Sequence, residues 1–411
     1  MASGDVEVAV IGGGAAGVAA ARRLAEAGVA ARIVEARARL GGRAWTIEAG
    51  GYAIDLGCGW LHSAERNPWT KIAAAQGRTI DRAPPPWARA TVQPGMTVQQ
   101  SGELRDALWE LHERADALPD DAPDRPLADL LEPAGRWNAA LDAISGYYSG
   151  AALARVSARD LGRYAEDGVN WRIVEGYGAT IAAHGAGLDV ALDSVVTRID
   201  HGGRRIRVET TRGAFAADAA IVTLPSAIIA ADERLFAPAL PDKTRAAAGL
   251  PLGHDDKLFL SLAGAEQFDP DTRVFGKLDT AATAAYQFRP LGRPMIECYF
   301  GGALAAELEA AGEAAFFAFA RDELAGLYGG DFARRIAPLA LHGWAADRFA
   351  RGAYSYALPG RADDRAILAA PVDGRLFFAG EACSRADFST AHGAYLTGIA
   401  AAEQAIKALR G

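Results

Sequence analysis

The chain has 411 residues, half of them hydrophobic, more than one ordinary core takes up, which points to two intertwined domains of a soluble globular protein. Its 43 basic and 51 acidic residues give a formal net charge of -8, so it lacks the basic field that a binder of nucleic acid or anionic membrane needs. Cys58, Cys298 and Cys383 are odd in number and far apart, which indicates neither a disulfide framework nor a thiolate metal site and makes the reducing cytoplasm the default location.

The N-terminus reaches an apolar run by Val6 without the charged region, apolar region and cleavage site of a signal peptide, and no apolar stretch approaches the roughly 20 residues of a membrane span. The first elements predict a βαβ unit: a strand from Val6 to Ile11, a small-residue helix from Ala15 to Ala27 closed by Gly28, and a strand from Ala31 to Glu35. Between Ser101 and Ala154 the leucines recur at helical spacing, broken by Pro-containing turns such as Leu118 to Pro126. Strands follow at Val190 to Ile199, Ile206 to Thr210 and Ala219 to Leu224, with Gly202-Gly203 as a hairpin turn. Lys257 to Leu262 and Met295 to Tyr299 also predict strands, and Glu313 to Leu327 a helix. A strand at Leu376 to Ala379 and a helix at Ala394 to Leu409 end the chain.

Gly12, Gly14 and Gly17 form G-x-G-x-x-G between the first strand and its helix, which opens with Ala15 and Ala16. Glycine there permits a tight turn and lets a pyrophosphate approach the helix N-terminus. Glu35, at the end of the second strand, is placed to accept hydrogen bonds from a ribose. This fingerprint does not separate FAD from NAD. Gly176 and Gly178 have the spacing that opens a second nucleotide site, but Ile181 stands where a third glycine belongs, so this segment predicts a turn before a helix.

The next segment, Glu35-Ala36-Arg37-Ala38-Arg39-Leu40-Gly41-Gly42-Arg43, resembles the E-A-x-x-R-x-G-G-R stretch of the flavin-dependent amine oxidases, the family of monoamine oxidases, polyamine oxidases and histone lysine demethylases. The resemblance continues in Gly51 to His62, which contains Gly57, Cys58, Gly59 and Trp60. It continues again in the strand through Val196, in Phe378-Ala379-Gly380-Glu381, and in Thr390-Ala391-His392-Gly393-Ala394. It implies non-covalent FAD held by these segments, with Ala36, Arg37, Gly42 and Arg43 beside the cofactor. A helix starting near Thr390 would aim its positive end at the flavin pyrimidine.

Amine oxidation by hydride transfer needs a flavin facing the carbon next to nitrogen, a site that holds the amine neutral, and a cavity that excludes water, but no acid-base triad. The resemblance places Lys257 opposite the flavin, holding a water; a lysine entering an apolar strand is costly to bury without a partner. It gives Trp344 and Tyr354 as an aromatic wall and a cage tyrosine that steer an amine by stacking and cation–π attraction. The cysteine that carries covalent flavin in monoamine oxidases is replaced by Ala353, and their second cage tyrosine by Thr390, so the cage is half built. His62 matches the substrate-facing histidine of many polyamine oxidases, with a packed or surface role as the alternative. The demethylases' helical arm and extra N-terminal domain are missing from the sequence.

The expected fold is α/β: a Rossmann-type FAD-binding domain of residues 1–75, 176–248 and 371–411, interleaved with a mixed-sheet and helical substrate domain of residues 76–175 and 249–370. The expected function is oxidation of a small-molecule amine, with oxygen reoxidising the flavin. The alternatives are an amino-acid oxidase or desaturase on the same fold, and a redox-silent FAD-binding module. No metal, nucleic-acid or membrane partner is expected.

Overall fold

A computed structural model describes residues 5–89, 93–119 and 122–411. The first four residues, on which the reading of the N-terminus partly rests, and the middle of the Leu118 to Pro126 turn lie outside the described residues.

Among the described residues the largest of four sheets has eight strands. Val6–Ile11 lies at its middle, parallel to Ala31–Val34 on one side and to Gly213–Val222 on the other. Val8, Ala9, Val10 and Ile11 are all fully buried, as a parallel strand covered on both faces requires. Leu376–Phe378 adds to Gly213–Val222 in parallel, so the end of the chain returns to the strand beside its beginning. The hairpin at Gly202-Gly203 joins the antiparallel strands Val196–Asp200 and Ile206–Thr210.

The strand predicted from Val190 to Ile199 is two strands. Val190–Ala191 closes one edge of the sheet against Ala31–Val34, whereas Val196–Asp200 lies on the far side of Gly213–Val222. Between them Asp193 takes a positive φ of 52°, and the amides of Asp193 and Ser194 donate to the carbonyls of Arg37 and Glu35. Alternating hydrophobicity alone does not show such a break, because the connecting residues still find backbone partners.

The second sheet has five antiparallel strands in the order Thr272–Phe275, Ala285–Phe288, Met295–Gly301, Asp255–Leu262, Ile336–His342. One of its faces packs on the helices Gly302–Ala311 and Glu313–Tyr328 through Leu258, Leu260, Ile296, Cys298, Phe300 and Phe316. The helical block holds Val98–Asp116, capped reciprocally by Thr97 and Gln100, and Asn138–Ser149, ended by Gly150 in the left-handed conformation. Gly176 has a φ of 96° and opens the helix Tyr177–His184, which is the turn that the missing third glycine predicts.

The C-terminal helix, Ala391–Arg410, starts beside Thr390, where the resemblance puts it, and three residues before the start at Ala394 read from the residue pattern. It packs along Ala15–Glu26, where a Cβ on Gly398 would collide with the Ala16 carbonyl oxygen. This close approach brings the N-termini of both helices to the wall of one cavity, which Ala15, Ala16, Thr390 and Ala391 all line.

Candidate active site

A cavity of about 1710 Å³ runs from the glycine turn after the first strand, past the second sheet, to the helical block. Gly12, Gly14, Ala15 and Ala16 line its first part together with Glu35, Ala36 and Arg37. The three fingerprint glycines serve different physical ends. Gly12 has a φ of 107°, and a Cβ there would lie 2.6 Å from Thr223 Oγ1. On Gly17 a Cβ would strike the Gly12 carbonyl oxygen, and Gly17 is the one sequence-predicted site residue that does not line the cavity. Its glycine lets helix and turn pack together. A Cβ on Gly14 would meet no protein atom closer than 3.9 Å, so what needs that space is not protein. An open glycine on a cavity wall at a helix N-terminus fits a pyrophosphate.

Glu35 is 4% exposed and is held by the amides of Gly13, at 2.7 Å, and Arg37, at 2.8 Å, each to a different carboxylate oxygen. The carboxylate oxygens keep lone pairs beyond these two bonds, so ribose hydroxyls fit as further donors. Arg37 pairs with Asp347 at 2.7 Å, which ties this loop to the segment after the second sheet. Val196 and Ser194 line the same part of the wall.

The paired glycines pack on the turn: the Gly41 amide donates to the Gly13 carbonyl at 2.8 Å, and a Cβ on Gly42 would lie 3.1 Å from Gly14 Cα. Arg43 donates to Glu381 Oε1 at 2.9 Å and to the Ala353 carbonyl at 2.7 Å. The other oxygen, Glu381 Oε2, accepts from Ser355 Oγ at 2.5 Å and from the Ser389 amide at 3.1 Å. Behind Ser355, fully buried Arg365 donates to its Oγ and forms a two-bond pair with Asp160 at 2.7 Å. Burial alone would raise the Glu381 carboxyl, but Arg43, Ser355 and Arg365 hold it below its usual range, so Glu381 stays ionised and Arg43 stays fixed. This buried chain of partners is not visible as a motif, because Asp160 lies 205 positions from Arg365.

Gly57, Cys58, Gly59 and Trp60 line the central wall. Burial pushes the Cys58 thiol up to about 12, so it is no nucleophile. Trp344 is 3% exposed; its indole N–H donates to the Leu56 carbonyl at 3.1 Å, and its amide donates to Asp256 Oδ1 at 2.9 Å. The Tyr354 hydroxyl donates to the Tyr147 carbonyl at 2.6 Å, which fixes its ring against the helix Asn138–Ser149. Gly380 completes this part of the wall.

Lys257 also faces the cavity. Its Nζ lies 3.0 Å from Glu297 Oε1, 3.3 Å from the Asp55 carbonyl and 5.1 Å from the centroid of Tyr299. Burial lowers the lysine's proton affinity, but Glu297 and Tyr299 outweigh it, so Lys257 remains an ammonium. Glu297 and Tyr299, two apart on Met295–Gly301, share one face, as do Asp255 and Lys257 on Asp255–Leu262. Sequence reasoning missed Glu297, Tyr299 and Asp255, though charged residues at alternate positions of apolar strands signal such a face.

Thr390 caps the C-terminal helix from the cavity wall. Its Oγ1 accepts from the Gly393 amide at 3.0 Å and donates to the Asp387 carbonyl at 2.7 Å, so it is an N-cap that lines the cavity. His62 is half-buried on the wall, with Nδ1 2.6 Å from Asn170 Oδ1 and 3.8 Å from Glu166. Burial lowers its proton affinity against the pull of Glu166 and Asn170.

The profile of the family described as flavin containing amine oxidoreductase matches residues 15–77 and 103–406. The chain belongs to the flavin containing amine oxidoreductases. The cofactor of this family member is FAD, and its reaction is the oxidation of an amine. Polyamine oxidase 3 of Oryza sativa subsp. japonica is 29% identical over 96% of this chain and 88% of its own length. A lysine-specific histone demethylase 1 homolog 2 from the same plant is 26% identical over 98% of this chain but only 57% of its own length. The fold is shared with a putrescine oxidase redesigned in its cofactor binding: the TM-score is 0.79, at 18% identity, over 98% of this chain and 99% of that one. Among the described residues no helix is long and apolar enough to cross a membrane.

Proposed function

We propose that this member oxidises a small aliphatic amine at the carbon bearing nitrogen, with molecular oxygen as the electron acceptor and non-covalent FAD. Bound FAD would supply hydride acceptance from that carbon and electron transfer to oxygen, so that the amine becomes an imine, which water converts to an aldehyde or ketone, and oxygen becomes hydrogen peroxide. The observation that carries this reading is that one cavity joins the open Gly14 turn to Lys257, Trp344 and Tyr354.

In this reading Gly14, Ala15 and Ala16 receive the pyrophosphate, Glu35 the ribose, and the N-terminus of Ala391–Arg410 the electron-rich side of the reduced ring. Lys257 holds a proton beside the ring and Trp344 forms its wall. Tyr354 steers the amine and His62 contacts it. Glu113, Asp116, Glu166 and Asp167 line the side of the cavity made by the helical block, and their charge favours a cation. We also propose that residues 1–75, 176–248 and 371–411 form the FAD-binding unit, because they supply every strand of the largest sheet, and that 76–175 and 249–370 form the substrate unit. The chain works in the cytoplasm.

A peroxide-release screen over primary, secondary and polyamines, with amino acids included, tests the reading. Peroxide from at least one amine is expected, and peroxide from amino acids alone would replace it with the amino-acid oxidase alternative.

A further inference from the structure

An amine reaches the protein mostly as an ammonium, which has no lone pair to support loss of hydride from the neighbouring carbon. A group in the cavity that takes that proton would supply the neutral amine. Lys257 is itself an ammonium, and Glu297 is committed to it at 3.0 Å. The Tyr354 hydroxyl is a donor rather than a base, shared between the Tyr147 carbonyl at 2.6 Å and the Asp255 carboxyl.

Asp255 is different. It opens the strand Asp255–Leu262 two residues before Lys257, so the two side chains leave the same face, and both line the cavity. The next residue, Asp256, points away from the cavity and accepts from the Trp344 amide. Asp255 is 6% exposed, and its Oδ2 has no hydrogen-bond partner among the described residues. A buried carboxyl oxygen without a partner is costly and calls for a reason.

We propose that Asp255 is the base that receives the substrate ammonium beside Tyr354 and takes its proton before oxidation. An N–H bond of the ammonium breaks and an O–H bond of the Asp255 carboxyl forms. The freed lone pair stays on nitrogen, and the proton passes to water once the product has left. No oxidant beyond those of the reaction is needed. The proposal rests on the amine-oxidation reading above.

The groups around Asp255 suit the task. Burial raises its proton affinity and the Tyr354 hydroxyl opposes this. The charge of Asp256 raises it, Lys257 lowers it, and Glu297 on the neighbouring strand raises it. Tyr299 from that strand and Tyr147 from the helix Asn138–Ser149 also face it. The balance lies above the ordinary carboxylate range, so the ionised carboxyl holds a proton more tightly than an exposed aspartate does. Asp255 is a catalytic residue in this scheme, with Tyr354 and Lys257 setting its proton affinity.

The test uses holoenzyme and two probes, n-butylamine and diaminobutane, each paired with its β,β-difluoro analogue, in which the nitrogen beside the fluorinated carbon is far less basic and so far more often neutral at assay pH. Anaerobic stopped-flow gives the limiting rate of flavin reduction. Asp255→Asn is expected to slow reduction by the ordinary amine at least about tenfold at neutral pH, yet to change reduction by the fluorinated partner less than about twofold. Asp255→Glu, which keeps a carboxyl, is expected to stay within about threefold of wild type on both. Equal losses on both amines, or no loss on either, would overturn the assignment. If Asp255→Asn does not retain flavin, wild type decides: reduction by the ordinary amine rises with pH while that by the fluorinated one is flat, and matching profiles contradict the proposal. Wild type that no probe reduces would instead count against amine oxidation itself.

Discussion

Lys257 and Glu297 form a buried ion pair across two antiparallel strands, 3.0 Å apart, on the face of the second sheet that looks into the cavity. The pair is diagonal, since Lys257 lies directly opposite Tyr299 and Glu297 opposite Phe259. Both charges are nearly out of solvent, and neither is tolerable there alone.

Removing one partner therefore has two separable effects. Lys257→Met is expected to keep FAD bound but to slow flavin reduction, reoxidation or both at least about tenfold, roughly 1.4 kcal/mol of barrier. It should also destabilise the protein, because breaking a buried pair costs about 3–5 kcal/mol. Lys257→Met combined with Glu297→Gln should recover much of the stability and none of the rate. Thermal melts and stopped-flow absorbance read the two effects independently, and full kinetic recovery in the double variant would make Lys257 structural.

The glycine turn gives a second contrast. Gly14→Val should yield folded protein without flavin, since its side chain points into space that no protein atom occupies within 3.9 Å of the Cβ. Gly17→Ala should lower stability even without cofactor, because its Cβ collides with the Gly12 carbonyl oxygen. Flavin content and melting of the apoprotein separate the cases; flavin retained by Gly14→Val would misplace the phosphate turn.

Ala353, whose carbonyl accepts from Arg43, presents a methyl group on the cavity wall where covalent attachment would need a thiol. Acid precipitation should release all the flavin as free FAD. Colour left on the precipitated chain would contradict this.

Asp256 makes a pH prediction whose sign is fixed. Burial raises its carboxyl to about 7, against the hydrogen bond from the Trp344 amide and with help from Glu309. The folded state thus binds a proton that the unfolded state has released, and stability falls as pH rises between the unfolded value and about 7. Asp256→Asn keeps an acceptor for Trp344 and removes the titration. Its melting temperature should match wild type near about pH 4, exceed it increasingly up to about pH 7, and hold that gap above. A gap that does not change with pH would disprove this origin.

Much of the site was legible in the sequence because its parts are local. The glycine turn, Glu35, the Gly41-Gly42 pair and the Thr390 region are each a few consecutive residues whose backbone has one job. All of the expected site residues except Gly17 line the same cavity. What stayed hidden is what tertiary structure assembles. Glu297 meets Lys257 only through strand pairing, Asp160 meets Arg365 across 205 positions, and the break after Ala191 depends on carbonyls of the Glu35–Arg37 loop. Thr390 was legible as a position but not as a cap, because capping needs the Gly393 amide aimed at its oxygen.

Anaerobic addition of amines to the purified yellow protein, followed by air, tests the central claim most directly. At least one amine of the panel should bleach the visible flavin band, and oxygen should restore it with release of one hydrogen peroxide per flavin. Flavin that stays bound and oxidised against every amine would contradict the account.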